Sequence, residues 1–224
     1  MSNILVLRHH LEDNPGLLGE AFSARGFNLD VVMMDATTPT PSVEGFVALV
    51  ILGSKESVYD PVVEVEWFGR ELDVMTRADR NGLAIFGVCF GAQALCRYAG
   101  GEVRAAATPE MGWYEIEPVN GSKIAPGPWF EYHYDRCVLP PEAELWATTP
   151  NAVQAFVVGR HLGVQFHPEI EGVQLAEWFS SGTDDARALG VDPRDLLAQT
   201  VKETPRARLR ARDLVDTFIE HAGL

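Results

Sequence analysis

One stretch of the chain constrains its fold more than any other, an apolar run that ends on a cysteine between two glycines and then turns helical. It comprises Ile85-Phe86-Gly87-Val88-Cys89-Phe90-Gly91-Ala92-Gln93. We interpret it as a buried strand, a sharp turn at Cys89 and a helix. A nucleophile at such a turn strains the backbone, and side chains two residues before and after it would collide. Gly87 and Gly91 remove those side chains, which indicates an α/β fold around this turn.

The predicted helix after Cys89 would direct its free N–H groups and the positive end of its dipole at the sulfur. This arrangement favours thiolate over thiol and leaves the backbone N–H of Phe90 as a donor to a developing oxyanion. A lone cysteine after an apolar strand is ordinarily a small buried hydrophobe. The interpretation therefore depends on residues elsewhere in the chain.

A second apolar stretch, Gly163-Val164-Gln165-Phe166-His167-Pro168-Glu169, predicts a strand that ends at a histidine. Residues two apart in an extended segment face the same side, and Pro168 biases His167 toward the extended region. Glu169 can therefore orient the imidazole. A nucleophile, a base and an orienting carboxylate then follow in the order Cys89, His167, Glu169.

Together, GVCFGAQ and GVQFHPE resemble the motifs of the class I (triad) glutamine amidotransferases, above all the glutaminase domain of GMP synthetase and standalone chains of that type. The resemblance implies that Cys89 attacks the side-chain amide of glutamine and forms a γ-glutamyl thioester. It further implies an oxyanion hole made by the N–H groups of Gly53 and Phe90, and contact between Gln93 and the substrate. Neither a metal nor an organic cofactor is expected.

Two further segments resemble motifs of this family but differ from them at individual positions. Residues 52–60 read L-G-x-x-x-S-V-Y-D, similar to the family's L-G-G-x-x-S-V-x-D, with Ser54 and Lys55 where a second glycine and a small residue are common. Tyr132-His133-Tyr134-Asp135 aligns with the segment whose backbone holds the α-amino and α-carboxyl groups of glutamine, which makes Tyr134 and Asp135 substrate-binding candidates. Tyr134 replaces the usual glycine, and we interpret His133 as structural rather than as a second base.

The order of apolar runs and turn residues predicts strands and helices that alternate from residue 3 until Gly100-Gly101 breaks the run, among them an amphipathic helix over 62–80. Short strands are expected to follow, including 102–106 and 113–119, and then a helical tail with separate helices over 193–203 and 206–221. This pattern indicates an α/β fold with a flavodoxin-like open, mostly parallel sheet, helices on both faces and a small antiparallel extension. We expect residues 1–183 to form the amidotransferase domain. Residues 184–224 are expected to form a helical C-terminal extension packed on it.

The length and the net charge of the chain limit the kinds of partner that it could have. At 224 residues the chain holds one α/β domain and is too short for a full synthetase domain as well, so we expect the ammonia acceptor on another protein subunit. A net charge of -14 argues against nucleic acid and anionic membranes. The sequence shows no signal-peptide core and no membrane span, and its three cysteines form no paired framework. We expect a cytoplasmic protein, with a homo-oligomer compatible with the sequence.

Several interpretations remain open. His9 and His10 are interpreted as loop residues, with a substrate or metal role as the alternative. Arg206, Arg208, Arg210 and Arg212 indicate an ion-paired, solvated helix face or else a docking surface. Two functions compete with glutamine hydrolysis. One is a γ-glutamyl hydrolase or peptidase acting on γ-glutamyl conjugates, and the other is a silent binding or regulatory relative.

Overall fold

The computed structural model describes residues 2–119 and 121–224, except for the side chains at positions 64 and 65, and its strands form one mixed sheet. The strands are β1 Ser2–Arg8, β2 Phe27–Met33, β3 Phe46–Ile51, β4 Ala84–Val88, β5 Glu102–Pro118, β6 Gly127–Val138, β7 Glu144–Thr148, β8 Val153–Val158 and β9 His161–Val164. The helices are α1 Gly16–Ser23, α2 Pro61–Val63, α3 Gly69–Arg80, α4 Phe90–Tyr98, α5 Gly172–Ser180, α6 Asp184–Ala188 and α7 Pro193–Ala222, with a π-helical turn at Glu64–Phe68 between α2 and α3.

Five strands on one side of the sheet are parallel, in the order β2-β1-β3-β4-β9. This is the flavodoxin-like order, so the predicted fold class is confirmed. Strands β1, β3 and β4 end one after another at a single edge of the sheet. Because the carboxyl ends of parallel strands share that edge, the residues that follow, His9, Gly53 and Cys89, are brought together there.

The other strands continue the sheet in antiparallel pairs, in the order β9-β8-β7-β5-β6. The expectation of separate short strands at 102–106 and 113–119 is wrong, because the single strand β5 spans residues 102–118. It pairs with β6 as far as Ile116 and then with β7, and its register with β6 shifts between Ala105 and Glu110. Pro109 lies within this irregularity, where a proline has no ladder hydrogen bond to lose.

The strand predicted to reach His167 ends earlier, at Val164. The N–H of Gln165 still donates to the Gln154 carbonyl at 2.9 Å, but the N–H of His167 donates to Phe130 on β6 at 2.8 Å. The chain therefore leaves its place beside β4 before the histidine. Because the backbone now bonds to β6 and no longer follows the line of β9, His167 lies over the carboxyl edge of the sheet, near the end of β4.

Aromatic side chains fill the space on both faces of the sheet. On one face Phe86 lies 5.0 Å from Phe218 of α7, ring centre to ring centre, and Phe22 of α1 lies 6.1 Å from Phe218. On the other face Phe68 meets Phe90 of α4 at 5.7 Å. The C-terminal helix thus shares a core with the first helix and the central strand.

Two helical predictions need correction. A single amphipathic helix over 62–80 was expected, but the π-helical turn rotates the apolar stripe, so Val62 is 61% exposed whereas Phe68 and Met75 are buried. The side chain of Val65, part of the same prediction, lies outside the described residues. Two helices were expected around Pro205, yet α7 is continuous through it. Buried residues on both sides of the proline hold one axis, which overrides the lost hydrogen bond.

Among the described residues, no helix combines the length and the apolarity needed to cross a bilayer.

Candidate active site

Cys89 occupies the turn between β4 and α4 in a backbone conformation that is rare for any residue other than glycine. Its φ is +51° and its ψ is -104°, and within residues 2–119 and 121–224 no other non-glycine residue has a positive φ. The turn is held by the N–H of Cys89, which donates to the Val164 carbonyl at 2.8 Å. Strain of this kind persists only where the surroundings enforce it, and it is common at reactive sites.

The two glycines of the motif are required by close backbone approaches. A Cβ at Gly87 would lie 2.3 Å from the carbonyl oxygen of Gly91, and a Cβ at Gly91 would lie 2.2 Å from that of Ile51. The predicted steric reason for G-x-C-x-G is confirmed, although the collisions are with backbone of the helix and of β3. Without these glycines α4 could not begin directly beneath Cys89.

His167 and Glu169 form a buried pair. Nδ1 of His167 lies 2.7 Å from Oε1 of Glu169. Because a carboxylate only accepts, Nδ1 carries a proton, which leaves Nε2 as the basic nitrogen of the neutral ring. That Nε2 atom is buried and makes no fully formed hydrogen bond. Trp178 covers the ring edge-on at 5.2 Å.

Cys89 and His167 influence each other electrostatically. Burial lowers the pKa of His167, but the charges of Glu169 and Cys89 and hydrogen bonding to both outweigh burial, so the pKa is raised well above its ordinary value. The Cys89 sulfur also lies 3.5 Å from Nε2 of Gln165 and 3.8 Å from the Tyr132 carbonyl oxygen. The surroundings therefore favour a cationic ring beside the sulfur.

Gly53 and Phe90, the predicted oxyanion-hole residues, both lie next to Cys89. A Cβ at Gly53 would lie 3.1 Å from Cε1 of His167 and 3.8 Å from the Cβ of Cys89. Phe90 is the first residue of α4, where helix N–H groups have no partner within the helix. Its ring packs in the aromatic cluster beneath the site.

A cavity of about 380 Å³ opens above Cys89 and His167, a size typical of small-molecule sites. Its walls carry five carboxyl groups and one amine, those of Asp13, Glu56, Asp135, Asp184, Asp185 and Lys55. Trp178 and Asp184 come from the C-terminal third of the chain. The cavity is therefore acidic and is closed on one side by α5 and α6.

The three predicted substrate-binding residues all line this cavity. Gln93 is buried, and its amide donates to Oε1 of Gln165 at 3.2 Å. The Asp135 carboxylate accepts hydrogen bonds from the hydroxyls of Ser57 and Tyr59, so it also ties down the loop after β3. Tyr134 is 41% exposed at the rim.

His9 lies in the loop after β1, as predicted, but it is not solvated. Its ring is buried, with Nδ1 2.8 Å from the Gly53 carbonyl oxygen and Nε2 2.8 Å from Oε2 of Glu71. His10 is more exposed, and its Nε2 lies 3.1 Å from Oε2 of Glu56. Sequence reasoning missed Glu71 because one acid on an amphipathic helix looks like any solvated side chain.

A second buried cluster lies beneath the cavity around His133. Its Nε2 lies 3.0 Å from Oε2 of Glu110 and 3.4 Å from Oε2 of Glu131. Burial lowers the pKa of His133, but the hydrogen bond to Glu110 and the nearby charge of Glu131 raise it to about 10. Burial raises the pKa of Glu131 to about 7, against the opposing effect of His133. His133 is therefore structural in its contacts, as predicted.

The same three side chains place ligand atoms within 4.8 Å of one another, close enough for a metal ion. Oε2 of Glu110, however, is already occupied by hydrogen-bond donors. It accepts from Thr149 at 3.2 Å and Gln154 at 2.8 Å in addition to His133, while Oε1 accepts from Asn151 at 3.1 Å. An oxygen with three donors has no lone pair to spare for a metal ion. The donor set fits a hydrogen-bonded cluster better than a metal centre.

Comparison with known proteins adds to this geometry. The family model described as glutamine amidotransferase class-I matches residues 16–177, which include Gly53, Cys89, His167 and Glu169.

The chain belongs to the class I glutamine amidotransferase family.

Members of this family with similar sequences include GMP synthases. The glutamine-hydrolyzing GMP synthase of Aeropyrum pernix is 33% identical over 128 residues, which is 51% of this chain and 25% of that protein. A separate subunit of the glutamine-hydrolyzing GMP synthase of Sulfurisphaera tokodaii is 30% identical over 153 residues, 64% of this chain and 78% of that relative. This class I amidotransferase chain thus spans about a quarter of the Aeropyrum relative's length.

Solved structures share the whole fold of this class I amidotransferase chain. A glutamine amidotransferase from Thermotoga maritima superposes with a TM-score of 0.86 and 23% identity, covering 98% of each chain. One from Methylobacillus flagellatus has a TM-score of 0.84 and 21% identity over 99% of this chain and 95% of that one. At these identities the likeness concerns the fold, and it extends through the C-terminal helices.

Proposed function

We propose that this chain hydrolyses the side-chain amide of glutamine through a thioester on Cys89 and releases ammonia for an acceptor. The observation that carries the proposal is the placement of His167, whose Nδ1 is bonded to Glu169 at 2.7 Å while its Nε2 is buried without a full hydrogen bond, beside a strained Cys89. A base with one nitrogen oriented and the other available next to a nucleophile is what covalent acyl transfer needs.

In the proposed reaction the Cys89 sulfur attacks the carboxamide carbon as a thiolate, its proton having passed to Nε2 of His167. A C–S bond forms, and the carbonyl oxygen becomes an oxyanion held by backbone N–H groups of Phe90 and the Gly53 loop. Each such donor is typically worth about 3 kcal/mol in the transition state. The His167 proton then goes to the departing nitrogen, because an amide anion is not expelled at neutral pH. Water attacks the thioester by the same route and releases glutamate.

Substrate binding is proposed to use the acidic wall of the cavity. Glutamine carries an ammonium and a carboxylate, and the cavity lining offers several carboxyl groups but one amine, that of Lys55. Nζ of Lys55 lies 3.4 Å from the Ser181 hydroxyl at the mouth. We therefore assign the α-carboxylate of the substrate to the Lys55 side and its ammonium to the acidic side. Tyr134 and Asp135 remain proposed contacts, through their backbone.

The proposed acceptor is a synthetase on a separate protein subunit. Support comes from the relatives, one of which is named as one subunit of a GMP synthase. We propose that residues 1–183 form the amidotransferase domain and that residues 184–224 form a helical extension packed on it. In this arrangement α6 supplies part of the cavity wall, through Asp184 and Asp185.

A second candidate is the hydrolysis of γ-glutamyl conjugates. It is favoured by the acidic wall of the cavity, whose five carboxyl groups, Asp184 and Asp185 among them, outnumber the single ammonium of free glutamine. A conjugate would place its leaving amine toward that wall. The same Cys89 chemistry would then release an amine instead of ammonia.

The decisive experiment compares the purified chain with its Cys89→Ser variant, on glutamine and on γ-glutamyl dipeptides. Ammonia release from glutamine that is lost in the variant supports the proposal, whereas preferential dipeptide cleavage supports the second candidate. A glutamine-mimicking diazo ketone should add mass at Cys89 and leave Cys96 and Cys137 unchanged. No turnover of either substrate, with and without a co-purified synthetase, would contradict both functions.

A further inference from the structure

We propose that His9 and Glu71 form a buried support that holds the Gly53 loop in its reactive geometry, and thus act as positioning residues. The inference rests on the proposed function, since it assigns these residues a role in that reaction. Neither side chain lines the cavity. Any effect they have on the reaction must therefore be indirect, and Gly53 is the residue of the site to which His9 is hydrogen-bonded.

The contacts of His9 define its proton arrangement. Nδ1 lies 2.8 Å from the Gly53 carbonyl oxygen, and Nε2 lies 2.8 Å from Oε2 of Glu71, with His9 and Glu71 side chains 1% and 0% exposed. A carbonyl oxygen can only accept, so Nδ1 carries a proton, and an ionised carboxylate at Nε2 holds a second one. The ring is then an imidazolium between the loop and α3.

The surroundings of His9 maintain this cation. The charged groups that face it are Glu71 on α3 and Asp13 on the loop after β1. Burial lowers the pKa of His9, but Glu71, the Gly53 carbonyl and Asp13 together raise it above its ordinary value. The rings of Trp67 and Phe90 each lie 4.8 Å from the imidazole and exclude water from it.

The position of Gly53 explains why such a support matters. This residue lies against both members of the reacting pair, because a Cβ there would be 3.1 Å from His167 and 3.8 Å from Cys89. Its peptide to Ser54 is trans, like the other peptide bonds of the described residues, so the N–H of Ser54 points away from the carbonyl that His9 holds. Fixing the carbonyl therefore fixes the direction of the Ser54 N–H. Ser54 lines the cavity, and in this proposal its N–H is the oxyanion donor of the loop, in place of the Gly53 N–H that the sequence resemblance implies.

The positive charge of His9 adds to this effect. An imidazolium behind the Gly53 carbonyl polarises the peptide, which makes its N–H a better donor to a developing oxyanion. A catalytic loop held only by its own turn would drift by tenths of an ångström, and misplacement of that size is costly to catalysis. The pair thus links the end of β1 to the loop after β3 and to α3.

A pair of substitutions separates the positioning role from a merely structural one. In His9→Asn the amide nitrogen can take the place of Nδ1 and keep the bond to Gly53, whereas in His9→Gln it can take the place of Nε2 and keep only the bond to Glu71. We expect His9→Gln to lower kcat at least about tenfold with little change in KM. His9→Asn should retain kcat to within about threefold.

Hydrogen exchange of residues 53–57, followed by mass spectrometry, gives a readout that needs no turnover. Exchange should accelerate in His9→Gln and stay close to that of the unmodified chain in His9→Asn. The matched control is His161→Asn, because His161 is also buried and bonded to the backbone, at Ile85, but lies at the opposite end of the strands. This control should lower stability without changing kcat or the exchange of 53–57.

The results distinguish this inference from the function on which it rests. Equal kcat and equal exchange in His9→Asn and His9→Gln would overturn the positioning role. If the unmodified chain turns over neither substrate, the proposed function is wrong, and the exchange of 53–57 alone decides whether His9 holds the loop. Should both His9 variants fail to fold, Glu71→Gln keeps the shape of the side chain and should lower kcat more at pH 8 than at pH 6, because His9 then loses its charge. A uniform effect across pH would count against the proposal.

Discussion

Nδ1 of His167 lies 2.7 Å from Oε1 of Glu169, and the two side chains are 5% and 2% exposed. The two side chains meet across a turn and not along the extended segment that the sequence predicts, because the chain turns at Pro168 and Glu169 and the N–H of Ile170 donates to the His167 carbonyl at 3.4 Å. The backbone of Glu169 is also held, since its carbonyl accepts the N–H of Leu17 at 3.0 Å. The orienting residue is thus fixed by the start of α1 as well as by the turn after His167.

Glu169→Gln should lower kcat about 100-fold or more with a small change in KM. The amide keeps the shape but removes the charge that stabilises the protonated His167. Steady-state ammonia release measures the effect, with the exposed Glu177→Gln on α5 as the control. A variant with full kcat would show that the carboxylate has no part in the reaction.

His167→Gln should slow alkylation of Cys89 by iodoacetamide at pH 7 at least about tenfold. The raised pKa of His167 keeps the ring cationic at this pH, and a neighbouring cation stabilises the thiolate that reacts. Intact-mass spectrometry followed by peptide mapping measures the rate. The buried thiols Cys96 and Cys137 serve as internal references. An unchanged rate would mean that the imidazole does not activate the sulfur.

Gly53→Ala and Gly91→Ala should fail in different ways. At Gly91 the new Cβ meets the Ile51 carbonyl at 2.2 Å, so we expect a loss of several kcal/mol in the free energy of unfolding. At Gly53 the new Cβ lies 3.1 Å from the ring of His167, which can shift slightly, so we expect about a tenfold loss of kcat with little change in Tm. Thermal unfolding and kinetics on both variants check this contrast. It fails if Gly53→Ala is the less stable of the two.

Glu131→Gln should raise Tm at pH 8 by about 5 °C and change it little at pH 5. Burial raises the pKa of Glu131 from 4.5 to about 7, so the folded state binds this proton more tightly than the unfolded chain. Its contribution to stability is complete below pH 4.5 and is lost as the pH rises through about 7, a difference of roughly 3 kcal/mol. Glutamine is neutral throughout and avoids that loss.

Calorimetric scans from pH 5 to pH 8 measure this difference, with the exposed Glu142→Gln as a control expected to follow the unmodified chain. A Glu131→Gln variant that is equally destabilised at both pH values would show that the carboxylate, not the acid, is the stabilising form.

The motifs around Cys89 and His167 can be recognised in the sequence because each depends on a few adjacent residues. The turn at Cys89 needs a glycine two residues before it and another two residues after it, and His167 and Glu169 lie two residues apart on either side of a proline. Each requirement therefore appears in the sequence as a short pattern of neighbouring residues. The alternating apolar runs similarly predict the flavodoxin-like order of β1 to β4.

Contacts between segments that are far apart in the chain produce no such pattern in the sequence. Pro205 looks like a break in sequence, yet packing on both sides of it keeps α7 continuous. The role of His9 cannot be read from its place in a loop, because its partners lie 44 and 62 residues away. A hydrogen bond across that distance depends on how the sheet stacks its strands, which no window of sequence contains.

The amino-acid sequence by itself therefore determined, through short-range steric requirements and hydrophobic periodicity, that a cysteine follows a central strand and that a histidine follows a later one. Only the folded sheet decided what surrounds them, because it aligns the ends of β1, β3 and β4 and sets His9 beneath Gly53. It likewise placed α5 and α6 over the cavity and removed Glu131 from water. Desolvation and long-range electrostatic interactions depend on the distances between groups in the folded protein. Their magnitudes are therefore set by tertiary packing and not by the local sequence.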